Sequence, residues 1–487
     1  MSLERLNRHQ RPITKRIIVR GTLMLDTPTC LGSGDVDSPT DLALLKDSIS
    51  DHALLTGSSI AGALRNYLRE YEHGYGIGEQ ECDRATALFG GTRRADDGEQ
   101  SPLIVNDGIS TNIPTVELRD GVEIEGTTST AKKGQKYDLE LLAAETEFPL
   151  CFELLIEQKQ DPREQQNYED RLVKSLALAL RGLEFGEINI GMKKRRGFGR
   201  CHVGEWQVWK FDLREHSDRM AWLLFDRECT NKLPVITNKI ADALSVVLDE
   251  KEDKRDRFII QATFKLASPL LIRSGQAETG CAPDVIHLKS HRPGETEPKP
   301  VLSGTSLAGV LRHRAERIVN TLKKPITIID EIFGPDFSED KTKEAKASRL
   351  IVHESVIENT ADLVQNRIAI DRFTGGAYHG ALFSEQPIFG SDKTRLTLEL
   401  ELRQPKNAEI GLLLLLLKDL WTSDLPVGGE SSIGRGRLQG INATIIRQMP
   451  GEAIQTWTIS QEGKHLQVSD AKALEAFVSD FSGKVAA

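Results

Sequence analysis

The sequence predicts an α+β fold made twice, as two copies of one domain in tandem. Three observations predict it. The segment Thr56-Gly57-Ser58-Ser59-Ile60-Ala61-Gly62-Ala63-Leu64-Arg65 returns as Ser303-Gly304-Thr305-Ser306-Leu307-Ala308-Gly309-Val310-Leu311-Arg312. Matching pieces follow each copy in the same order: Leu88-Phe89-Gly90 and Pro102-Leu103-Ile104-Val105 answer to Ile332-Phe333-Gly334 and Arg349-Leu350-Ile351-Val352. A glycine and arginine loop closes each half, Gly197-Phe198-Gly199-Arg200 and Gly434-Arg435-Gly436-Arg437. The offsets, 304 − 57 = 247 and 434 − 197 = 237 residues, are domain-sized and exclude a short-repeat solenoid.

Each element follows from local pattern. Residues 16–25 are rich in β-branched side chains and read as an opening strand, followed by a Gly, Pro and Asp-rich loop through Pro39. Ser58 or Ser59 can cap a helix running to about Tyr71, with Ala61, Leu64, Leu68 and Tyr71 on one face. Strands are expected near 102–106, 137–143 and 148–157, a helix over 164–183, and a last strand from Cys201. The second half repeats this with strand 257–267, helix 305–322, strands 349–353 and 395–403, helix 408–421 and strand 437–446. The order strand, helix, strands, helix, strand suggests a ferredoxin-like, RRM-like α+β sandwich with long insertions. Residues 1–209 form the first domain and 256–449 the second. Between them 210–255 reads as a linker with one amphipathic helix and a charged run, and 450–487 as a tail without a second copy.

The chain has 487 residues, 39% of them hydrophobic, enough for two ordinary cores. Its 63 basic and 72 acidic residues leave a formal charge of −9, which taken alone argues against a generic polyanion binder. The field over a groove is local, however, and Lys193-Lys194-Arg195-Arg196 stands directly before a glycine loop. Six scattered cysteines without a CxxC pair give neither a zinc framework nor a disulfide scaffold and fit a reducing cytoplasm. The N-terminus shows no signal-peptide hydrophobic region, and the densest apolar run, Leu412 to Leu417, is far below the ~20 residues that span a bilayer. A cytoplasmic protein with no membrane partner is expected.

Three repeated features suit phosphate chemistry. The Gly-Ser-Ser-x-x-Gly turn into a helix offers backbone N–H groups and hydroxyls (Ser58, Ser59; Thr305, Ser306) at a positive helix end, with Arg65 and Arg312 at matching positions. The alternative is a capped helix whose glycines permit close packing, and neither copy ends in the Gly-Lys-Ser/Thr of a P-loop. In the glycine loops, backbone can approach a ligand while Arg200, Arg435 and Arg437 grip phosphates; the plain reading is a basic surface turn. Few aromatic residues favour tracking of a nucleic-acid backbone over base stacking. Between these motifs, Arg119-Asp120-Gly121-Val122-Glu123-Ile124 with Thr127-Thr128 parallels Asn366-Arg367-Ile368-Ala369-Ile370-Asp371 with Thr374-Gly375-Gly376, and both read as hairpins. Asp37, in Gly34-Asp35-Val36-Asp37-Ser38-Pro39, lies on a glycine loop where most aspartates merely shape turns. No Ser/His/Asp constellation or HExxH motif accompanies it.

This ordered set resembles the RAMP superfamily, and more closely the backbone subunits (seventh Cas family) of type III CRISPR effector complexes. Both halves match over most of residues 15–446, so the nearest likeness is a fused double subunit of the III-D-like kind. The resemblance implies RRM-like domains that stack along a CRISPR RNA beside other Cas subunits, and hairpins that act as thumbs interrupting the guide–target duplex. Thumb residues are then Arg119, Asp120 and Val122 in one half and Arg367, Ile368 and Ile370 in the other. It implies cleavage of complementary target RNA with Mg²⁺ or another divalent cation, supported by the loop aspartate, here Asp37 with Asp35 as a neighbour. In the second half Gly280-Cys281-Ala282-Pro283-Asp284 puts Cys281 at the aligned position, and Asp284 becomes the candidate there. The family's helix start often carries a lysine where this chain has Ala61 and Ala308, which leaves more to Arg65 and Arg312. The alternatives are a non-catalytic guide- and target-holding subunit, and a CRISPR RNA-processing ribonuclease, which would lean on a histidine cluster absent from this sequence.

Overall fold

The computed structural model describes residues 12–34, 43–80, 83–91, 100–126, 128, 130–225, 232–274, 283–337 and 342–483. The candidates Asp35, Asp37 and Cys281 lie outside the described residues. Each half is built on an antiparallel sheet with one strand at its centre. In the first, Ile13–Leu25 lies between Glu147–Glu157 and Cys201–Asp212, with Leu103–Val105 and Val235–Thr237 outside them. In the second, Arg257–Leu266 lies between Arg395–Arg403 and Leu438–Gln448. Leu350–Val352 pairs with Arg395–Arg403 as Leu103–Val105 pairs with Glu147–Glu157, so the duplication extends to strand order.

The strands alternate as one-sided sheets must. Phe258, Ile260, Ala262, Phe264 and Leu266 are buried while Gln261 is exposed on the other face. Helices cover the apolar faces. In the first half these are α1 (Gly57–His73), α2 (Arg84–Phe89) and α3 (Pro162–Glu184). The stretch expected as a linker folds back as α4 (His216–Leu223) and α5 (Ile240–Leu244); Ile240, Ala243 and Leu244 join the first core, and Val235–Thr237 extends the first sheet. Three buried apolar side chains on one helical turn had no local signal distinguishing this core from the next.

The second half repeats the pattern with α6 (Gly304–Thr321), α7 (Thr327–Phe333) and α8 (Asn407–Trp421). The tail adds strands Gln455–Glu462 and His465–Val468 to the second sheet, then α9 (Ala471–Ser482). This explains the Leu412–Leu417 run. A helix apolar on all sides must be covered on all sides, and α9 supplies the outer cover with Leu474, Phe477 and Phe481. A Cβ at Gly411 would lie 2.1 Å from the Phe477 carbonyl oxygen, so glycine is what lets α8 and α9 touch.

The two glycine loops have one backbone. Lys193 and Glu430 open them in the left-handed region (φ 52° and 61°), a single helical turn follows, and Gly199 and Gly436 leave with φ 79° and 78°. Each second glycine runs against a carbonyl: a Cβ would lie 1.9 Å from Ile190 O at Gly199 and 1.9 Å from Val427 O at Gly436. Gly436→Ala should therefore cost at least about 3 kcal/mol, adding a left-handed non-glycine to a backbone clash. Gly434→Ala, also at positive φ (88°) but with nothing within 4 Å of its Cβ, should cost about 1 kcal/mol. Urea-unfolding midpoints of the two variants check the difference.

Candidate nucleic-acid interface

The helix starts are capped earlier than expected, at Thr56 rather than Ser58 or Ser59 in the first half and at Ser303 in the second. Thr56 Oγ1 accepts from Ser59 N (3.3 Å) and Ser303 Oγ from Ser306 N (3.3 Å). Thr56 and Ser303 directly precede the repeated glycines, a cap position readable in both copies. Ser58 and Ser59 are exposed, whereas Thr305 and Ser306 are half-buried. Gly57 N donates to the Asp107 carboxylate at 2.6 Å, so part of the first helix start already holds an anionic group of the protein.

Arg65 and Arg312 are committed to protein partners. Arg65 makes a bidentate pair with Glu79 (2.7 and 2.7 Å) and donates to Gly91 O at 2.8 Å; Arg312 binds Glu316 (3.0 Å) and Gly334 O (2.9 Å). Each arginine ties the helix to the Phe-Gly loop, which is why the two motifs travel together. The guanidinium groups that were to replace the missing lysines are thus already neutralised or satisfied. Arg435 is buried between Glu385 and Glu430 and bonds Gln365, so its place is structural, while Arg437 is exposed and donates to Ser423 O at 2.6 Å.

The first hairpin, Val116–Ile124 with Ala131–Leu142, lies across the second half. Glu117 accepts from His291 N at 2.8 Å and from Ser290 Oγ at 3.2 Å. Arg119, expected on a thumb surface, is 5% exposed and binds Glu354 at 2.9 and 3.3 Å, while Arg292 binds the same carboxylate at 2.6 Å. Burial by itself would raise the Glu354 pKa, but Arg119 and Arg292 outweigh it and hold the carboxyl below its usual range. At the hairpin tip a Cβ on Gly126 would meet His313 Nδ1 at 2.7 Å. Asp120 pairs with Lys136 at 2.9 Å and Val122 is exposed.

The second hairpin region is less regular: strands Gln365–Arg367 and Phe383–Gln386 pair, with an isolated bridge between Ile370 and Ala377. Arg367 is held by Glu385 and Glu430, whereas Ile368, Ile370 and Phe373 are exposed. Asp284 is exposed at its base, and its Oδ2 accepts from Ser384 N (2.7 Å) and Ser384 Oγ (3.1 Å).

The basic run sits on the seam between the halves. A Cβ at Gly304 would lie 2.4 Å from the Arg196 carbonyl oxygen, and one at Gly197 would lie 2.3 Å from Glu354 N. The first glycine loop is therefore pressed onto the second helix start. Arg196 donates to the carbonyls of Arg195 (3.0 Å) and Leu350 (3.3 Å), and Lys193 Nζ lies 3.7 Å from the centre of the Tyr137 ring. Among the described residues the side chains of Lys194 and Arg195 make no hydrogen bond or ion pair, and none of the four cations is ion-paired to a carboxylate. Burial, then the cations of Arg195 and Arg312, lower the proton affinity of Arg196; burial and then Arg403 do the same to Arg195. This is like-charge crowding that Glu70 and Glu401 oppose only without direct pairing, and an anion seated there would relieve it. The matching positions in the second loop are Glu430-Ser431-Ser432-Ile433, one backbone with none of that charge.

A polar cavity of about 290 Å³ opens beside the seam, on the outer face of the second sheet, between Arg200, His353, Glu358, Arg395 and Glu399. Arg200 pairs with Glu399 across the seam at 3.1 Å. Burial pushes the His353 imidazole below its usual pKa; Glu399 opposes this and Arg200 reinforces it. Its mixed charges make the cavity a poorer phosphate seat than the basic loop. His287, the other strongly buried imidazole, accepts from Ile272 N and contacts Val301 O through Nε2 (3.1 Å each); burial holds its pKa down at about 4, so it is a neutral structural group.

Two tandem α+β domains meet with a crowded cationic loop at their junction. A family model of the RAMP superfamily matches residues 22–202 and 263–439, one match in each half. The chain belongs to the RAMP superfamily, whose members are CRISPR-associated RNA-binding proteins, some of them endoribonucleases. No curated protein sequence matches it. Among the described residues no helix is long and apolar enough to cross a membrane.

Glu354→Gln leaves Arg119 and Arg292 without that buried carboxylate and should cost about 3 kcal/mol at pH 7. Because the folded pKa of Glu354 lies below its ordinary value of 4.5, its contribution is complete above that pH and is lost as pH falls through the lowered value. Denaturant titrations from pH 7 to pH 3 should show the gap between wild type and variant narrowing only on the acid side.

Proposed function

We propose that the protein is a double backbone subunit of a type III CRISPR effector complex, holding CRISPR RNA along both halves and supporting cleavage of complementary target RNA. The observation that carries the RNA-holding part is the seam: Lys193, Lys194, Arg195 and Arg196 crowd without an ion-paired carboxylate where the first glycine loop crosses the start of α6. A polyanion releases counterions as it neutralises such a cluster, which gives affinity without sequence preference. Base pairing would then supply sequence, as suits a guide-holding subunit.

Cleavage in this reading belongs to the loop carrying Asp37, with Asp35 beside it and Asp284 as the second-half counterpart. A thumb that splays a target nucleotide aligns its 2′-hydroxyl with the adjacent phosphorus, and this positioning lowers the barrier. The carboxylate orients the hydroxyl and takes its proton as the 2′-oxygen bonds phosphorus; the 5′-oxygen leaves and is protonated by solvent, giving a 2′,3′-cyclic phosphate and a 5′-hydroxyl. A divalent cation would neutralise charge on the phosphate oxygens. At Asp284 one carboxylate oxygen is occupied by Ser384, so Mg²⁺ fits there only with phosphate oxygens and waters completing its shell. A guide- and target-holding subunit without its own chemistry is the second reading, favoured in the second half by that engagement.

Two experiments test this. In the assembled complex with Mg²⁺, Asp37→Ala should abolish one cut in the target RNA with guide binding retained; unchanged cuts remove Asp37 as the catalytic group. Replacing Lys194 and Arg195 together by alanine should weaken binding of single-stranded RNA and reduce the slope of log K against log salt by about 1.4, at about 0.7 per lost phosphate contact. An unchanged slope excludes the seam as the RNA seat.

A further inference from the structure

We propose that the first half carries a site for one divalent transition-metal ion, Zn²⁺ by preference, formed by Glu72, His73 and Asp83. Glu72 and His73 end α1, and Asp83 stands immediately before α2. One ligand atom from each lies within 4.8 Å of the others. His73 Nε2 is 2.9 Å from Asp83 Oδ1 and 3.9 Å from Glu72 Oε2.

Two further features distinguish this cluster from an ordinary ion pair. His73 Nε2 is buried and makes no hydrogen bond, although Asp83 Oδ1 is within reach, so the nitrogen and the oxygen are close without the alignment a proton between them requires. The two carboxylates are also short of positive charge. Asp83 is 5% exposed, and among the described residues neither its carboxylate nor that of Glu72 is ion-paired to a lysine or arginine side chain. Of the neighbouring cations, Arg84 pairs with Glu252 at 2.6 Å, and Arg171 donates to the backbone carbonyl of Asp83 at 3.1 Å. Buried Asp83 and half-buried Glu72 thus meet beside one imidazole with no lysine or arginine side chain paired to either carboxylate, an arrangement that a divalent cation would balance.

The outer supports of a metal site are present. Gln80 N donates to Asp83 Oδ2 at 2.6 Å and Arg84 N to Glu72 Oε2 at 2.9 Å, fixing both carboxylates through the backbone. One imidazole nitrogen with two carboxylate oxygens is a donor set for Zn²⁺ or its first-row neighbours, with water completing four-coordination; Mg²⁺ prefers an all-oxygen octahedron. The corresponding end of α6 reads Asn320-Thr321-Leu322, without such a set.

Its effect is read from what the intervening loop does. Tyr75 reaches the second half, with its hydroxyl 3.4 Å from Glu401 and its ring 4.5 Å from the Arg403 guanidinium, and Gln404 donates to its carbonyl. Glu79 holds Arg65 and through it the loop at Gly91. A metal joining the ends of α1 and the loop would thus stiffen a contact between the halves, independently of any RNA chemistry.

The untagged full-length chain, stripped with EDTA and then dialysed against Zn²⁺, should retain one equivalent through gel filtration by elemental analysis and melt several degrees higher. Co²⁺ in its place should give visible d–d absorption. His73→Gln and Glu72→Gln should each lose the bound metal and the thermal shift while matching the EDTA-treated wild type in melting temperature. Wild type that retains no Zn²⁺ and shows no Co²⁺ band overturns the proposal, and so does retention of a full equivalent by both variants. The wild-type titration decides the matter even if a variant fails to fold.

Discussion

The arrangement of the two halves depends on a buried ionic contact, Arg119 and Arg292 on the Glu354 carboxylate. Burying such charges is expensive, and their attraction offsets the loss of hydration only where the geometry is close and the remaining polar atoms are satisfied. Here Arg119 also reaches Glu117, which in turn takes bonds from Ser290 and His291. The network joins a hairpin of the first half to residues 235 positions away. It fixes where Glu354 stands, and Glu354 N lies against Gly197, so the same contact sets where the basic loop runs.

That placement separates form from charge in the duplicated loops. Both use a left-handed entry, one helical turn and a glycine packed on a carbonyl. The first presents Lys193 to Arg196 on this scaffold, and the second presents Glu430 to Ile433. Even the residue between the glycines has changed chemistry. Phe198 fills an apolar cluster with Cys30, Leu139 and Leu141, whereas Arg435 neutralises Glu385 and Glu430. The backbone demanded glycines in both copies, and the side chains were free to diverge.

Much of the fold was legible because it depends on local periodicity. The strand expected at 395–403 is Arg395–Arg403 and the helix expected at 408–421 is Asn407–Trp421. The interface was legible only in part. Clustering of Lys193 to Arg196 is visible in sequence, but which arginines are available to a ligand depends on partners far along the chain. Arg65 and Arg312 looked like grips because they repeat, and they repeat because each holds a Phe-Gly loop. Arg435 looked like a grip because it stands between glycines, yet Glu385, fifty residues away, neutralises it. No local pattern marks Arg119 as buried, since alternation on a hairpin does not say which face another domain will cover. That the stretch 210–255 docks on the first half was hidden for a similar reason: short apolar turns acquire meaning only from the core they meet.

The leucine-rich helix α8 has a consequence for synthesis. Its outer face is sealed by α9, so the second core remains open until residues 471–482 have left the ribosome, more than fifty residues after α8 itself. The first half gathers its own strands and helices well before then. Nascent chains therefore pass through an interval in which one half is closed while the other still offers a leucine-rich surface to chaperones.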